Sequence, residues 1–240
     1  PIEGMEGLKE MAIKIEGNGP LRKIIVEADS DGTLRGFVGD PTVALPPRVE
    51  KIDVAGAVGK EGLLTVMKDL GAKEPYSGIV RLRTGEIATD LAHYFAESEQ
   101  IPTAMALGVH VDPSGAVSAA GGFLIQTLPP PDAARVDRLA DRIGGLDPVT
   151  RMLRNGCTPE TILATIYGDI PYRLLEKKAL ILRCTCSRDR IERVLISLGP
   201  QEISALIADP GEASVTCEFC RAAYHFRRQD LEQLRAEMQA

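Results

Sequence analysis

Four of the chain's five cysteines fall in two tight pairs: Cys184-Thr185-Cys186 and, thirty residues further on (after 187–216), Cys217-Glu218-Phe219-Cys220. A sequence with so few sulfurs that gathers them this way presents a tetrathiolate site. Its simplest occupant is a structural Zn²⁺ held in a tetrahedron by Cys184, Cys186, Cys217 and Cys220. The same spacing admits a second use, because close thiols exchange metal for disulfides when oxidised, which makes the site a switch. Each pair closes only a short loop on the metal. Zinc contributes about 10–16 kcal/mol to small metal-folded domains, and the roughly 40 residues from Cys184 to Phe226 hold too small a core to be stable without such a staple. The expectation is a module that its metal folds. Four thiolates on one Zn²⁺ leave a net charge of about −2, and Arg183, Arg188, Arg190 and Arg221 stand close enough in sequence to offset it.

Catalytic uses of these residues find little support. Zinc hydrolases need an open coordination position, which four sulfur ligands close. The deaminase signature is absent: His93, His110 and His225 are followed two residues later by Phe95, Asp112 and Arg227 rather than glutamate, and Thr216 stands before Cys217 where proline is expected. No histidine stands beside a candidate nucleophile in the sequence. A dithiol oxidoreductase built on Cys217 and Cys220 leaves Cys184 and Cys186 without a role. Cys157, alone in a turn before a helix cap, reads as incidental, and His225 as an exposed hairpin residue. The chain is therefore read as a non-enzyme.

The formal net charge of −6 argues against a general nucleic-acid binder or a basic membrane-surface protein. Residues 184–240 do not escape that reading, with seven arginines, no lysine and nine acidic side chains. No apolar run approaches the roughly 18–20 residues that span a bilayer. Pro1-Ile2-Glu3-Gly4-Met5-Glu6 lacks the basic start and apolar centre of a signal peptide. Paired thiols without an export signal point to a reducing, cytoplasmic compartment.

Along the chain, Met11, Ile13 and Ile15 alternate with polar or small residues in a half-buried strand, ended by Gly17-Asn18-Gly19-Pro20. Strands around Ile24–Val26 and over Thr33–Val38 continue an antiparallel meander through the turn Asp29-Ser30-Asp31-Gly32. That turn lacks the later glycine and glutamate of a calcium loop, and Gly56-Ala57-Val58-Gly59-Lys60 has too short a glycine spacing for a phosphate loop. Pro41 to Arg48 reads as a loop. Further strands are expected over Leu63–Leu70, Gly78–Arg83, Thr103–Val111 and Ala116–Leu128, with a helix between Gly85 and Ser98 carrying Ile87, Leu91, Tyr94 and Phe95 on one face. With no tryptophan and 4% aromatics the core must be aliphatic.

Pro129-Pro130-Pro131 marks a boundary. Beyond it short helices carry Val136, Leu139 and Ile143, then Val149, Met152 and Leu153, then, behind the cap Thr158 and Pro159, Ile162, Leu163, Ile166 and Tyr167. None can bury its apolar stripe alone, so each must dock, most simply on the sheet. After Leu174–Leu182 comes the first cysteine pair. Ser187 caps a helix, a second short helix carries Ile203, Leu206 and Ile207, Val215–Phe226 forms a hairpin with Cys217 and Cys220 at its knuckle, and Leu231 and Leu234 belong to a terminal helix. The fold class is α+β: a mainly antiparallel sheet core with packed helices over 1–130, a helical linker over 131–183, and a C-terminal zinc module over 184–240.

The C-x-C, long spacer, C-x-x-C arrangement, with Cys-Thr-Cys-Ser-Arg at 184–188, resembles the zinc centre of the heat-shock protein 33 family of redox-regulated bacterial chaperones. Glu74-Pro75-Tyr76-Ser77-Gly78, Gly85-Glu86-Ile87, Ser98-Glu99-Gln100-Ile101-Pro102 and Gly121-Gly122-Phe123-Leu124-Ile125-Gln126 resemble that family's core domain, in the same order along nearly the whole chain. The resemblance implies a holdase, active in the response to heat and oxidative stress. Reduced, its cysteines bind zinc and it is inactive. Oxidised, disulfides join Cys184 to Cys186 and Cys217 to Cys220, zinc leaves, and a metastable linker, about Asp132 to Arg183, unfolds to expose surface for unfolded client proteins. It also implies dimerisation on activation, and a bacterial cytoplasm or an organelle of bacterial descent. Family members carry a segment, helices included, ahead of the strand at Met11–Ile15, so the N-terminal part of the family domain is expected to be missing here. The competing readings are a structural zinc module on an interaction protein and a thiol-disulfide oxidoreductase.

Overall fold

The computed structural model describes residues 8–46 and 52–238, so the end of the loop expected at Pro41 to Arg48 lies outside the described residues. The chain forms two compact bodies. The first contains residues up to Ser30 and Val38–Ala179; the second contains Asp31–Phe37 and Leu180 onward.

In the first body, β1 (Glu10–Gly17) pairs antiparallel with β2 (Lys23–Asp29), Ile13 opposite Val26 and Ile15 opposite Ile24. The next strand, β3 (Thr33–Val38), belongs through Phe37 to the second body. The short helix α1 (Val54–Val58) follows, capped by Asp53, whose carboxylate accepts the Gly56 N–H. Then β4 (Gly62–Asp69) lies on the other side of β1, Leu64 opposite Ile15 and Val66 opposite Ile13, and β5 (Tyr76–Arg81) closes the order β5-β4-β1-β2. Period-two alternation thus puts Ile13, Ile15, Leu64 and Val66 on one face. Helix α2 (Ile87–Ser98) covers that face with Leu91 and Tyr94, both buried.

Polar groups fix both ends of α2. Asp90, 2% exposed, accepts the N–H groups of Arg83, Thr84 and Gly85 and the Thr84 hydroxyl, tying the first turn to the preceding loop. At the far end Lys68 pairs with Glu99 at 2.5 Å, and the Tyr94 hydroxyl donates to the same carboxylate at 2.9 Å. Position 78 must be glycine, since a Cβ there would lie 2.7 Å from the Tyr94 hydroxyl oxygen.

Strands β6 (Thr103–Val111) and β7 (Val117–Gln126) form a separate antiparallel ribbon with an irregularity at His110/Val111. The three short helices follow as α3 (Ala133–Gly144), α4 (Val149–Arg154) and α5 (Pro159–Tyr167). As expected they bury their stripes by docking: Met152, Ile162 and Ile166 form a core with Leu139, Ile143, Leu153 and, from the ribbon, Phe123 and Ile125. Thr158 caps α5 by accepting the Thr161 N–H. Arg138 and Arg142 clamp α3 to α5 through Asp169, and Arg142 also donates to the Tyr167 carbonyl. No helix among the described residues is long and apolar enough to cross a membrane.

In the second body β3 pairs in parallel with the two-residue β8 (Ile181–Leu182), a pairing at its edge that the alternation of the strand does not announce. Helices α6 (Arg188–Ser197) and α7 (Pro200–Ala208), hairpin strands β9 (Glu212–Thr216) and β10 (Ala223–Arg227), and α8 (Arg228–Glu237) complete it. Its core is small: Leu195, Ile203, Ile207, Phe226, Leu231 and Leu234.

Candidate metal centre

Two local structures carry the sulfurs. Cys184 and Cys186 lie in the loop between β8 and α6, held at its end by Ser187, whose hydroxyl accepts the Arg190 N–H and caps α6. Cys217 and Cys220 form the knuckle between β9 and β10. There the Cys217 N–H donates to the Ala222 carbonyl at 2.9 Å, and the Arg221 N–H donates to the Cys217 carbonyl at 2.8 Å, with Arg221 at φ 60° making the turn.

The fold brings all four Sγ atoms within 4.8 Å of one another. Cys184 and Cys217 are 3.7 Å apart, Cys186 and Cys220 3.3 Å. A tetrahedron of sulfurs about 2.3 Å from a zinc ion has edges of about 3.8 Å, so the donor set suits a soft, four-coordinate metal. Burial rises from exposed Cys220 to buried Cys217. The thiols are unlike. Burial, with the neighbouring thiols of Cys186 and Cys217, pushes Cys184 up. Burial also pushes on Cys217, but backbone N–H groups of Cys220 and Phe219 and the Cys184 and Cys220 thiols outweigh it and bring it down to about 7. A thiol poised near neutrality is one that a metal deprotonates readily.

Around the sulfurs stand groups that sequence spacing did not reveal. The Tyr224 hydroxyl donates to Cys186 Sγ at 3.0 Å, a bond that, with desolvation and the nearby thiols, pushes the phenol up to about 12. Arg35 donates to the Thr185 hydroxyl at 3.1 Å, and its guanidinium lies 4.4 Å from the Phe219 ring centroid. Phe37 meets the same ring edge-on at 5.0 Å. Of the four arginines expected to offset the thiolate charge, Arg190 is at the site, donating to Thr185 at 3.1 Å. The other three bond elsewhere: Arg183 to the Thr33 hydroxyl, Arg221 to Glu218, and Arg188 to Glu192, Asp230 and the His225 carbonyl.

Cys157 is remote, half-buried against the α4–α5 core. The fold also pairs His110 with Ser118 and His225 with Ser214, each at 2.7 Å, although no histidine adjoins a serine in sequence. Both pairs are cross-strand contacts on exposed hairpin faces.

The sequence profile of the Hsp33 protein family matches residues 4–227. The chain belongs to the Hsp33 family. A relative named 33 kDa chaperonin from Geobacter sulfurreducens is 57% identical over 232 residues, 97% of this chain and 77% of that protein. Another of the same name, from Geobacillus kaustophilus, is 43% identical over 232 residues, 96% of this chain and 79% of its own. Among solved structures, the 33 kDa chaperonin (heat shock protein 33 homolog) of Thermotoga maritima superposes with a TM-score of 0.82 at 37% identity, covering 95% of this chain and 78% of that one. The α+β reading with a four-cysteine C-terminal cluster therefore stands, and the relatives are bacterial proteins named as chaperonins.

Proposed function

We propose that this chain is a redox-controlled holdase of the bacterial cytoplasm. In the reduced state Cys184, Cys186, Cys217 and Cys220 hold one Zn²⁺ and the protein is inactive. Under a peroxide, each of two disulfides, Cys184–Cys186 and Cys217–Cys220, forms from two thiolates, one hydrogen peroxide and two protons taken from solvent, with release of two waters. The donors are then gone and the metal leaves. The segment 131–183 loosens from the core over 1–130, and the exposed apolar surface captures unfolded clients and keeps them from aggregating. Dimerisation of the oxidised form belongs to the same proposal.

The observation that carries this reading is the convergence of four thiols at metal-ligand spacing in a body whose core cluster has six buried apolar side chains. A second supports it. Between α5 and the cysteines runs an extended stretch with apolar side chains already largely in solvent, Leu174, Leu175 and Leu180 among them, and Leu182 84% exposed. Little has to move for such a stretch to join a client surface.

The test is metal content with free-thiol count before and after peroxide at mild heat, alongside light scattering of an aggregating client. Release of one zinc with loss of four thiols and gain of client protection is expected. Zinc retained, or clients unprotected after its loss, refutes the proposal. Zinc without any protection leaves a structural module, and insulin-reduction turnover would mark an oxidoreductase.

A further inference from the structure

We infer that strand β3 is the clasp of the cysteine centre: Arg35 and Phe37 hold the two ligand loops together, so metal binding and β3 docking are one linked equilibrium. The inference rests on the metal reading above and goes beyond it, because it assigns a role to residues some 150 positions from the cysteines.

Thr185 is the middle residue of the C-x-C loop, and Phe219 lies inside the C-x-x-C knuckle. A single side chain touches both, Arg35 donating to Thr185 at 3.1 Å while its plane lies over Phe219 at 4.4 Å. Phe37, two residues on and so on the same face of β3, meets the Phe219 ring edge-on, centroids 5.0 Å apart at an interplanar angle of 82°. The strand is in turn fixed to the first ligand loop. Ile181 N–H donates to the Gly32 carbonyl at 3.0 Å, Arg183 N–H to the Leu34 carbonyl at 2.9 Å, and the Arg183 guanidinium to the Thr33 hydroxyl at 3.3 Å, one residue before Cys184. A guanidinium suits this position because it can lie over a ring and donate a hydrogen bond at once.

Connectivity gives the clasp its consequence. The chain enters the second body after Ser30 and leaves it after Phe37. Asp31–Phe37 is therefore a piece of the N-terminal chain that the cysteine module retains. Linkage requires reciprocity: if β3 strengthens the metal site, the metal strengthens the hold on β3 by the same factor.

The test uses the reduced full chain and zinc alone. Competition against a chromogenic chelator is expected to show Arg35→Ala binding zinc about tenfold more weakly, the sum of a ring contact and one hydrogen bond, and Phe37→Ala about fivefold more weakly, the loss of a ring contact alone. Arg35→Lys, which keeps the charge and loses the planar fork, should recover less than half of that loss. Cobalt substituted into Arg35→Ala should keep the thiolate-to-metal absorption bands of the parent, showing the four ligands in place. In the parent chain, removing zinc with a chelator should speed hydrogen exchange at the Ile181 and Arg183 amides. Parent-like zinc affinity in both alanine variants, or Ile181 and Arg183 amides equally protected with and without zinc, overturns the inference while leaving the metal reading intact. A parent chain that binds no zinc overturns the metal reading itself, and the inference with it.

Discussion

Phe226→Ala asks whether the second body folds with its metal or before it. Phe226 is 1% exposed at the centre of the cluster of Leu195, Ile203, Ile207, Leu231 and Leu234, with the Arg188 guanidinium 4.3 Å from its ring centroid. Truncating a buried phenylalanine costs about 3–5 kcal/mol. A core of this size rarely supplies more than about 3–5 kcal/mol, so the substitution removes as much as the core can contribute. If the metal-free body is unfolded, the ligands converge only on folding, and the whole loss appears as affinity: zinc should bind roughly 10²- to 10⁴-fold more weakly. Leu64→Ala is the control. Leu64 is equally buried but lies in the first body, so a comparable loss of stability there should leave zinc affinity within about twofold. Chelator competition on the reduced chain reads both. Phe226→Ala with parent affinity would show that the site is preformed in an independently stable scaffold, and the reasoning would fail.

Three further outcomes follow from the geometry. Tyr224→Phe removes the hydroxyl that donates to Cys186 Sγ, so zinc release under peroxide, followed with a colorimetric chelator, should be faster than in the parent with the fold unchanged by circular dichroism. Lys68→Met or Glu99→Met alone strands one member of a pair whose side chains are 10% and 13% exposed and should cost about 3–5 kcal/mol in urea unfolding, while the double variant should cost less than either. Asp169 sits at about 2, below its usual 3.8, because Arg142 and Arg138 donate to it. Its folded value is depressed, so its contribution is complete above pH 4 and lost as pH falls towards 2. Hydrogen exchange in α3 should be flat between pH 7 and 5 once corrected for intrinsic rates, rise below 4, and lose that step in Asp169→Asn.

What was legible in the sequence was local. Ser187 and Thr158 cap their helices because a capping hydroxyl needs only its own next three residues. The Cys217–Cys220 knuckle follows from two alternating strands around a six-residue turn. The four-thiol cluster was readable because chance rarely pairs cysteines twice. The parallel pairing of β3 with β8 was not readable: alternation tells a strand which side chains share a face and says nothing of what lies across its edge. Helix α1 is five residues long, too short for a periodic signal. The Arg35–Thr185 bond spans 150 residues, and the Tyr224–Cys186 bond has no spacing rule that would announce it. Proximity in sequence did not announce the partners of Arg183, Arg188 and Arg221, which are carbonyl, hydroxyl or carboxylate groups nearer to hand.

The two bodies are held by different means, and on the proposed reading that difference decides which of them an oxidant opens. The first rests on sheet and helix cores reinforced by polar networks at Asp90 and at Lys68–Glu99–Tyr94. Its one cysteine, Cys157, is half-buried against the α4–α5 core. None of those interactions has a redox state. The second body has six buried apolar side chains, with partly buried neighbours around them, and four clustered thiols. If those thiols hold a metal as proposed, they add about 10–16 kcal/mol to a core that rarely supplies more than about 3–5 kcal/mol. An oxidant that reaches exposed Cys220 would then act where stability depends on a redox-sensitive group. The segments expected to respond are those that belong to that body, Asp31–Phe37 and the stretch from Leu180 to the cysteines.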